Sequence, residues 1–436
     1  MNKKILILAT TGGFLNQFEM GNVRILEQLG YEIHYASNTY DQHYIFDQQK
    51  ILDQGIQIHH VDIARSPYMI QNNWNAFWQL VEIVKKYHIQ VIHCHTPVGG
   101  VLGRLVGRYC KREKLRVIYT AHGFHFFKGA PLINNSIYYV VEKCLARWTD
   151  RLVLINREDY ENALKFRLKK GGKVYQIPGV GLNMEKFAPL SKEEREEKRQ
   201  ALGLGKDDFF LVSVGELNEN KNQEVVLKAL LRLRKKNQSL TNIRYGICGD
   251  GFFWDRIRED IKKWRLQGAV TMYGYCTHVR EILGCADAMV FPSKREGLGM
   301  AALEALAVGI PVIAADNRGT REYMRSGENG IVCQWDDVEG FAKAIEKFRT
   351  MPLAQRQQMK QACIQSVTCF QQKYTDEIME QVYKSLDPEA RGNYEKNNHR
   401  NQRNHGSLQS KKQGTAHGSS TVYCKSDISK LGNAVV

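Results

Sequence analysis

Eleven short, nearly unbroken apolar runs recur along this chain, and stretches of helical periodicity separate them. In the first half they are KILILAT (4–10), YEIHYAS (31–37), IQIHHVD (56–62), QVIHCHT (90–96), RVIYTAH (116–122) and RLVLIN (151–156). In the second half they are DFFLVSVG (208–215), IRYGICG (243–249), AVTMYG (269–274), AMVFPS (288–293) and PVIAAD (311–316). A run that does not alternate with polar residues suits a strand covered on both faces, as in a parallel sheet. Helical crossovers between such strands give an α/β fold. The glycine turn Thr11-Gly12-Gly13 closes the first strand, a helix follows to about Leu29, and Gly30 ends it. The chain is thus expected to form two doubly wound halves joined near 180–190, around IPGVGLNMEKF, with the polar segment Ser191 to Lys206 ahead of the second series. We place one Rossmann-like domain at 1–185 and a second at 186–386. The Asn-, Gln-, Lys- and Ser-rich tail 387–436 is expected to be disordered. Ligands of open parallel sheets bind beyond the carboxyl ends of the strands, so the chemistry is sought there, in a cleft that the two halves face.

Composition removes whole classes of function. No run of about 18 uncharged apolar residues occurs that could span a membrane as a helix. The opening Met-Asn-Lys-Lys-ILILAT is too short, and too soon followed by a glycine turn, for a signal peptide; it reads as a buried first strand. Ten cysteines lie scattered without a C-x-x-C pair, which fits a reducing cytoplasm. The formal charge is +16, and residues 1–180 carry 23 basic groups against 14 acidic ones. That excess implies an anionic partner. Arg104, Arg108, Lys111, Arg112, Lys114 and Arg116 form one cluster; Lys165, Arg167, Lys169, Lys170 and Lys173 form another. Between them lies the apolar and aromatic segment INNSIYYVVEKCLARW (133–148), a combination suited to an anionic membrane surface or to an ordinary buried helix. No zinc finger, helix-turn-helix or RNA-binding signature supports nucleic acid as the partner.

The most informative stretch is FPSKREGLGMAALEALAVGIPVIAAD (291–316). A strand ends at Pro292-Ser293, a glycine-containing turn opens a helix, and Glu304 follows Glu296 by eight residues. A helix start offers unpaired N–H groups to an anion, and carboxylates beside it accept hydrogen bonds from hydroxyls. Glu304 sits in an apolar context, AALEALAVG, where a carboxylate without a purpose is costly. This E-x7-E spacing, with its glycine turn and following G-x-P-V-I-A strand, resembles glycosyltransferase family 4 over roughly residues 4–385. Those are retaining, nucleotide-sugar-dependent enzymes with two Rossmann-like domains, the GT-B fold; the resemblance makes 1–185 the acceptor-binding domain and 186–386 the nucleotide-sugar-binding one.

The resemblance implies that Glu304 binds the ribose hydroxyls of the donor nucleotide and Glu296 the donor sugar. The N–H groups around Gly297, Leu298, Gly299 and Met300 would face the diphosphate. In SVGELNENKN (213–222), similar enzymes place an Arg after the glycine and a Lys about five residues later; here Lys221 fills the second place. The first place, next to Gly215, is Glu216, which cannot neutralise a phosphate and is left to orient Lys221 or to contact the acceptor. Gly249 and Asp250 match a loop near the nucleotide, Tyr275 lies near the base, Gly13 near the phosphates, and His122 at the sugar or its phosphate. His122, Lys221 and Glu296 are the expected catalytic residues.

His93 and His95 share a strand face but no carboxylate or cysteine partner is evident, and no D-x-D occurs, so no metal is expected. No cofactor is expected either; the donor, a UDP-sugar by resemblance with GDP left open, is a substrate. Thr11-Gly12-Gly13 lacks the full G-x-G-x-x-G of an NAD site, and no G-x-x-x-x-G-K-[ST] is present. The expected activity is transfer of a hexose or N-acetylhexosamine to a lipid-linked acceptor in surface-polysaccharide synthesis, peripherally on the inner face of the plasma membrane. A UDP-sugar 2-epimerase and a non-catalytic nucleotide-sugar sensor are the alternatives.

Overall fold

The computed structural model describes residues 3–386 apart from Gln42, Ala130, Gln238, Ser239 and Thr241. The tail expected to be disordered, 387–436, lies outside the described residues. All eleven apolar runs form strands, and two more join them. The strands are β1 (Lys3–Thr11), β2 (Tyr31–Asn38), β3 (Gln57–His60), β4 (Val91–Cys94), β5 (Arg116–Ala121), β6 (Arg151–Leu154), β7 (Lys173–Gln176), β8 (Phe209–Val214), β9 (Ile243–Cys248), β10 (Val270–Gly274), β11 (Ala288–Phe291), β12 (Val312–Ala315) and β13 (Gly330–Cys333). The two that the apolar pattern passed over, β7 and β13, are sheet edges of four residues, half of them or more only partly buried. An edge has no second neighbour to demand a continuous apolar run.

The strands form two parallel sheets, ordered β3-β2-β1-β4-β5-β6-β7 and β10-β9-β8-β11-β12-β13. In each sheet the order reverses beside the first strand, between β1 and β4 and between β8 and β11. Right-handed crossovers therefore place the helices before the reversal on one face and those after it on the other. In the first sheet Leu6, Leu8, Ile92, Cys94, Val117 and Tyr119 pack against the helices Ile70–Tyr87 and Pro97–Tyr109. The second sheet buries Leu211, Tyr245, Val290 and Ile313 with the helices Gln223–Asn237 and Val338–Arg349.

The described residues divide into one compact unit of 3–181 with 372–386, and a second of 182–371. The second unit ends at Gln371 rather than at 386. The helix Gln372–Lys384 belongs to the first unit, where it packs beside the helix Met20–Gln28. Ile378, Met379, Val382 and Tyr383 are buried there, and the Tyr383 hydroxyl lies 2.9 Å from His93 Nδ1. Arg151 donates through Nε to Ser385 Oγ at 2.6 Å. A helix that returns across the chain carries no local mark of its destination, since its apolar stripe fits any complementary surface. The polar segment after the linker is also ordered: Lys192–Ala201 is a helix opened by a capping box between Ser191 and Glu194.

Candidate functional site

In the second unit the loops beyond β8, β9, β11 and β12 gather the polar residues around the strand reversal. Glycines let the backbones meet. The Gly215 N–H donates to the Cys248 carbonyl at 2.9 Å, and the Gly249 N–H to the Gly274 carbonyl at 2.7 Å. A Cβ on Gly249, at φ +149°, would collide with the Gly215 carbonyl, so no other residue fits. Asp250 continues the same turn, its carbonyl accepting from the Leu217 N–H at 2.9 Å.

Lys221 is fixed from both ends. Its backbone N–H donates to Asn218 Oδ1 at 3.0 Å, and its ammonium lies 2.6 Å from Glu296 Oε1 and 5.4 Å over the Phe291 ring. Glu216 takes no part in that pair. It is exposed and accepts from Asn218 Nδ2 at 2.9 Å, so the carboxylate that orients Lys221 is Glu296. Asn222 Nδ2 donates to the carbonyls of Pro292 (3.2 Å) and Trp335 (2.7 Å), tying this loop to the ends of β11 and β13.

The loop after β12 buttresses the Glu296 turn. Asn317 Nδ2 donates to the Ser293 carbonyl at 2.9 Å, while Asn317 Oδ1 accepts from the N–H groups of Gly319 and Thr320. Arg318 Nε donates to the Glu296 carbonyl at 3.3 Å. Gly299, at φ +93°, turns the chain into the helix Met300–Ala307; a Cβ there would lie 2.9 Å from the Phe291 ring and the Tyr323 hydroxyl. Among the described residues no partner accepts from the N–H groups of Leu298, Gly299 or Met300. Ser293 Oγ and Gln223 Oε1 are likewise buried and unpaired, at about 1–3 kcal/mol each, which a ligand here could relieve. Glu304, on the same helix, is half-buried; desolvation pushes its carboxyl up to about 7, opposed by Lys186. Tyr275, beyond β10, is exposed.

The first unit gathers a different set at its own reversal. Gly13 follows β1, and a Cβ there would lie 2.5 Å from the Ile45 carbonyl. A π-helical turn, Leu15–Glu19, then leads into the helix Met20–Gln28; such turns are rare and frequent at functional sites. Glu19 is buried, with Oε1 at 3.3 Å from His95 Nδ1 and 3.8 Å from His122 Nε2, and Oε2 accepts from Asn22 Nδ2 at 2.6 Å. His95 Nδ1 and His122 Nε2 are 3.2 Å apart. Burial raises the Glu19 carboxyl to about 8, partly offset by Asn22, and lowers the His122 imidazole to about 4. Thr96, just beyond β4, has φ +61° and ψ +156°, a conformation that side-chain-bearing residues adopt only at a cost.

Sequence reasoning found His122 but gave His95 no carboxylate partner; the structure supplies Glu19. Glu19, His93 and His95 bring one possible ligand atom each within 4.8 Å of one another. Both nitrogens of His93 are already engaged, at 2.9 Å by Tyr383 and 2.8 Å by Thr120, so coordination there would break two hydrogen bonds. Asn218, Asn222 and Asn317 were also missed, although a polar residue directly after an apolar strand is the signal that could have marked Asn317. Of the expected residues, the structure joins Gly215, Lys221, Gly249 and Glu296–Met300 in one place, whereas Gly13 and His122 belong to the other unit.

Two parallel sheets, each with its polar loops at the strand reversal, define a GT-B-type glycosyltransferase fold. The structure superposes on an Anabaena protein, Alr3699/HepE, solved with UDP and glucose, at a TM-score of 0.70 and 15% identity, covering 88% of this chain and 100% of that one. Residues 194–365 match the family described as glycosyl transferases group 1, and residues 4–156 the family described as glycosyl transferase 4-like. A Bacillus subtilis protein named as a glycosyltransferase, EpsD, is 40% identical over 354 residues, 81% of this chain and 89% of its own length. An Escherichia coli protein named UDP-Gal:alpha-D-GlcNAc-diphosphoundecaprenol alpha-1,3-galactosyltransferase is 26% identical over 67% of this chain and 75% of its own length. The chain belongs to this family of glycosyltransferases.

Proposed function

We propose that the protein transfers a hexose or N-acetylhexosamine from a UDP-sugar to a lipid-linked saccharide, with retention of configuration, in surface-polysaccharide synthesis. The observation that carries this reading is the Lys221–Glu296 pair, set beside the unpaired N–H groups of Leu298 to Met300. That brings a cation from the loop beyond β8 to a carboxylate and a set of amide donors in the turn beyond β11: the groups needed for a diphosphate and for the hydroxyls of the sugar it carries. Glu304 accepts from the ribose hydroxyls, and Glu296 from the sugar. Lys221 and the amide donors offset the charge that develops on the departing diphosphate, with no metal assigned a part. From the first unit, Gly13 and His122 serve the phosphate and sugar. The leaving diphosphate takes the proton of the acceptor hydroxyl as that hydroxyl attacks from the same side, so the protein contributes positioning and charge stabilisation.

Support for the acceptor comes from the diphosphoundecaprenol named in the E. coli relative, and for the donor from the UDP in the Anabaena structure. We further propose that the enzyme works peripherally at a cytoplasmic membrane surface; no helix among the described residues is long and apolar enough to cross a membrane. The test is release of UDP or GDP from a panel of nucleotide-sugars, with and without bacterial lipid extract. Release from one UDP-sugar that depends on the extract supports the reading. Isomerisation of the donor without any acceptor would replace it with an epimerase.

A further inference from the structure

Nineteen large apolar side chains are exposed among the described residues, and eleven of them lie on or beside three adjacent helices of the first unit. These are Ile70–Tyr87, Pro97–Tyr109 and Leu132–Leu145, packed side by side on the face of the sheet that follows the strand reversal. Ile70 (75% exposed), Trp74 (59%) and Trp78 (42%) recur every four residues along the first helix, and the Trp78 ring meets Tyr109 of the second at 5.4 Å. Helical spacing thus produces an aromatic stripe on the outer side, while Ala76, Leu80 and Val84 fill the core on the inner side.

The third helix turns an apolar row outward as well as inward. Its single carboxylate, Glu142, points inward to a buried ion pair with Arg104 (Nη1 to Oε2, 2.7 Å), and the Arg104 guanidinium lies 4.1 Å over the Tyr119 ring. At 100° per residue, Ile133, Ile137 and Val140 fall on the side opposite Glu142. They are 76%, 56% and 55% exposed. Tyr138, Tyr139 and Leu145 pack on the inner side with Glu142, yet the outer row is apolar where an ordinary surface helix is polar. An exposed apolar row of this length, continuous with the Trp74 and Trp78 stripe's layer, marks a surface that an apolar partner covers.

Charge decides what covers it. These helices run from the carboxyl ends of the strands toward their amino ends, and the amino edge is basic. There a pocket of about 570 Å³ is lined by Arg147, Arg167, Leu168, Lys169 and Lys170. Lys169 is paired with Asp150 at 2.9 Å, but Arg147, Arg167 and Lys170 have no carboxylate partner among the described residues. A second copy of the chain laid on the same face would bring two such edges of equal sign together. A surface that is apolar beneath and anionic above matches both features.

We propose that this three-helix layer docks on an anionic phospholipid bilayer. The Ile70–Trp78 and Ile133–Val140 stripes enter the headgroup region, and Arg147, Arg167 and Lys170 bind lipid phosphates. The proposal gives the peripheral location above its physical surface, and it rests on that reading for its purpose only. Docking would set the carboxyl ends of β4 and β5, with His95 and His122, at a fixed height over the lipid that carries the acceptor.

The test is flotation of the full chain with phosphatidylcholine vesicles, with and without phosphatidylglycerol, while tryptophan emission reports burial of Trp74 and Trp78. Binding that requires phosphatidylglycerol, weakens with salt and shifts the emission to the blue is the expected result. Ile133→Glu/Ile137→Glu should cut partitioning at least about tenfold. Arg167→Glu/Lys170→Glu should cut it by roughly fivefold or more per charge and flatten the salt dependence. These side chains lie outside the core, so thermal unfolding should match wild type in both variants, as should UDP binding. Absence of binding at low salt overturns the proposal, as does binding unchanged by Ile133→Glu/Ile137→Glu. A wild-type dimer that this variant splits would assign the face to a second copy instead. Loss of UDP binding in the wild type itself would sink the glycosyltransferase assignment and leave the vesicle result standing.

Discussion

Replacing Lys221 by alanine tests the donor site most directly. The ammonium is held 2.6 Å from Glu296, with only 23% of the lysine side chain and 13% of the glutamate side chain exposed. A unit charge about 4 Å from a phosphate oxygen, at an effective dielectric constant of about 20, is worth roughly 4 kcal/mol. Partial exposure reduces that figure, and losing one preorganised group facing developing charge costs about 10²–10³ in turnover. Lys221→Ala also leaves the Glu296 carboxylate unpaired beside a dianion, which adds repulsion. We therefore expect kcat on the preferred UDP-sugar to fall by about 10²–10³. UDP affinity should fall by less, since the amide donors of Leu298 to Met300 remain. Lys221→Arg should recover part of the loss, because it keeps the charge but changes its shape. Initial rates of UDP release, paired with calorimetric titration of UDP, separate the two effects. A Lys221→Ala enzyme turning over within about threefold of wild type would refute the argument, since a nearby positive charge cannot be worth so little at this burial.

Glu304 yields a pH signature. Its carboxyl is raised to about 7, and the ionised form is the better acceptor for ribose hydroxyls, so UDP affinity should increase as pH rises from about 6 to 8. Glu304→Gln should flatten that profile, and a profile unchanged by the substitution would remove Glu304 from the nucleotide. Because its folded value exceeds the 4.5 of an ordinary glutamate, the same group withdraws stability as pH climbs from 4.5 to about 7; melting temperatures of wild type and Glu304→Gln should therefore diverge over that window, with the variant the more stable above it. The Arg104–Glu142 pair predicts non-additivity in urea unfolding. Glu142→Leu alone should cost about 3–5 kcal/mol by stranding a buried guanidinium, whereas Arg104→Met/Glu142→Leu should cost far less. Gly249→Ala meets the Gly215 carbonyl at a positive φ and should destabilise the second unit by about 2 kcal/mol or more, with loss of UDP binding; a variant that unfolds like wild type would show that the strand ends are not locked together.

Much of the second unit's site was legible because its residues are close in sequence. Glu296, Gly299 and Glu304 sit on one turn and one helix, so their spacing alone puts them side by side. Lys221 was found through its motif, but its carboxylate partner lies 75 residues away, and adjacency invited the reading of Glu216 in that role. The first unit was read less completely. His122 stands at the end of an obvious strand, while Glu19 reaches it only because a π-helical turn rotates the side chain inward, and nothing in LNQFEM announces that turn.

The sequence by itself determined eleven of the thirteen described strands, their alternation with helices and the chemistry available at the strand ends. Runs of six to eight mostly apolar residues and glycines at turns are local causes, acting over distances that spacing can report. Tertiary structure alone decided which unit takes the last helix, which carboxylate holds Lys221, and which way the helix Leu132–Leu145 faces. In that helix most positions are apolar, so periodicity cannot say which side is inside. One buried carboxylate settles it: Glu142 must reach Arg104, because an unpaired charge in the interior costs more than an exposed row of isoleucine and valine.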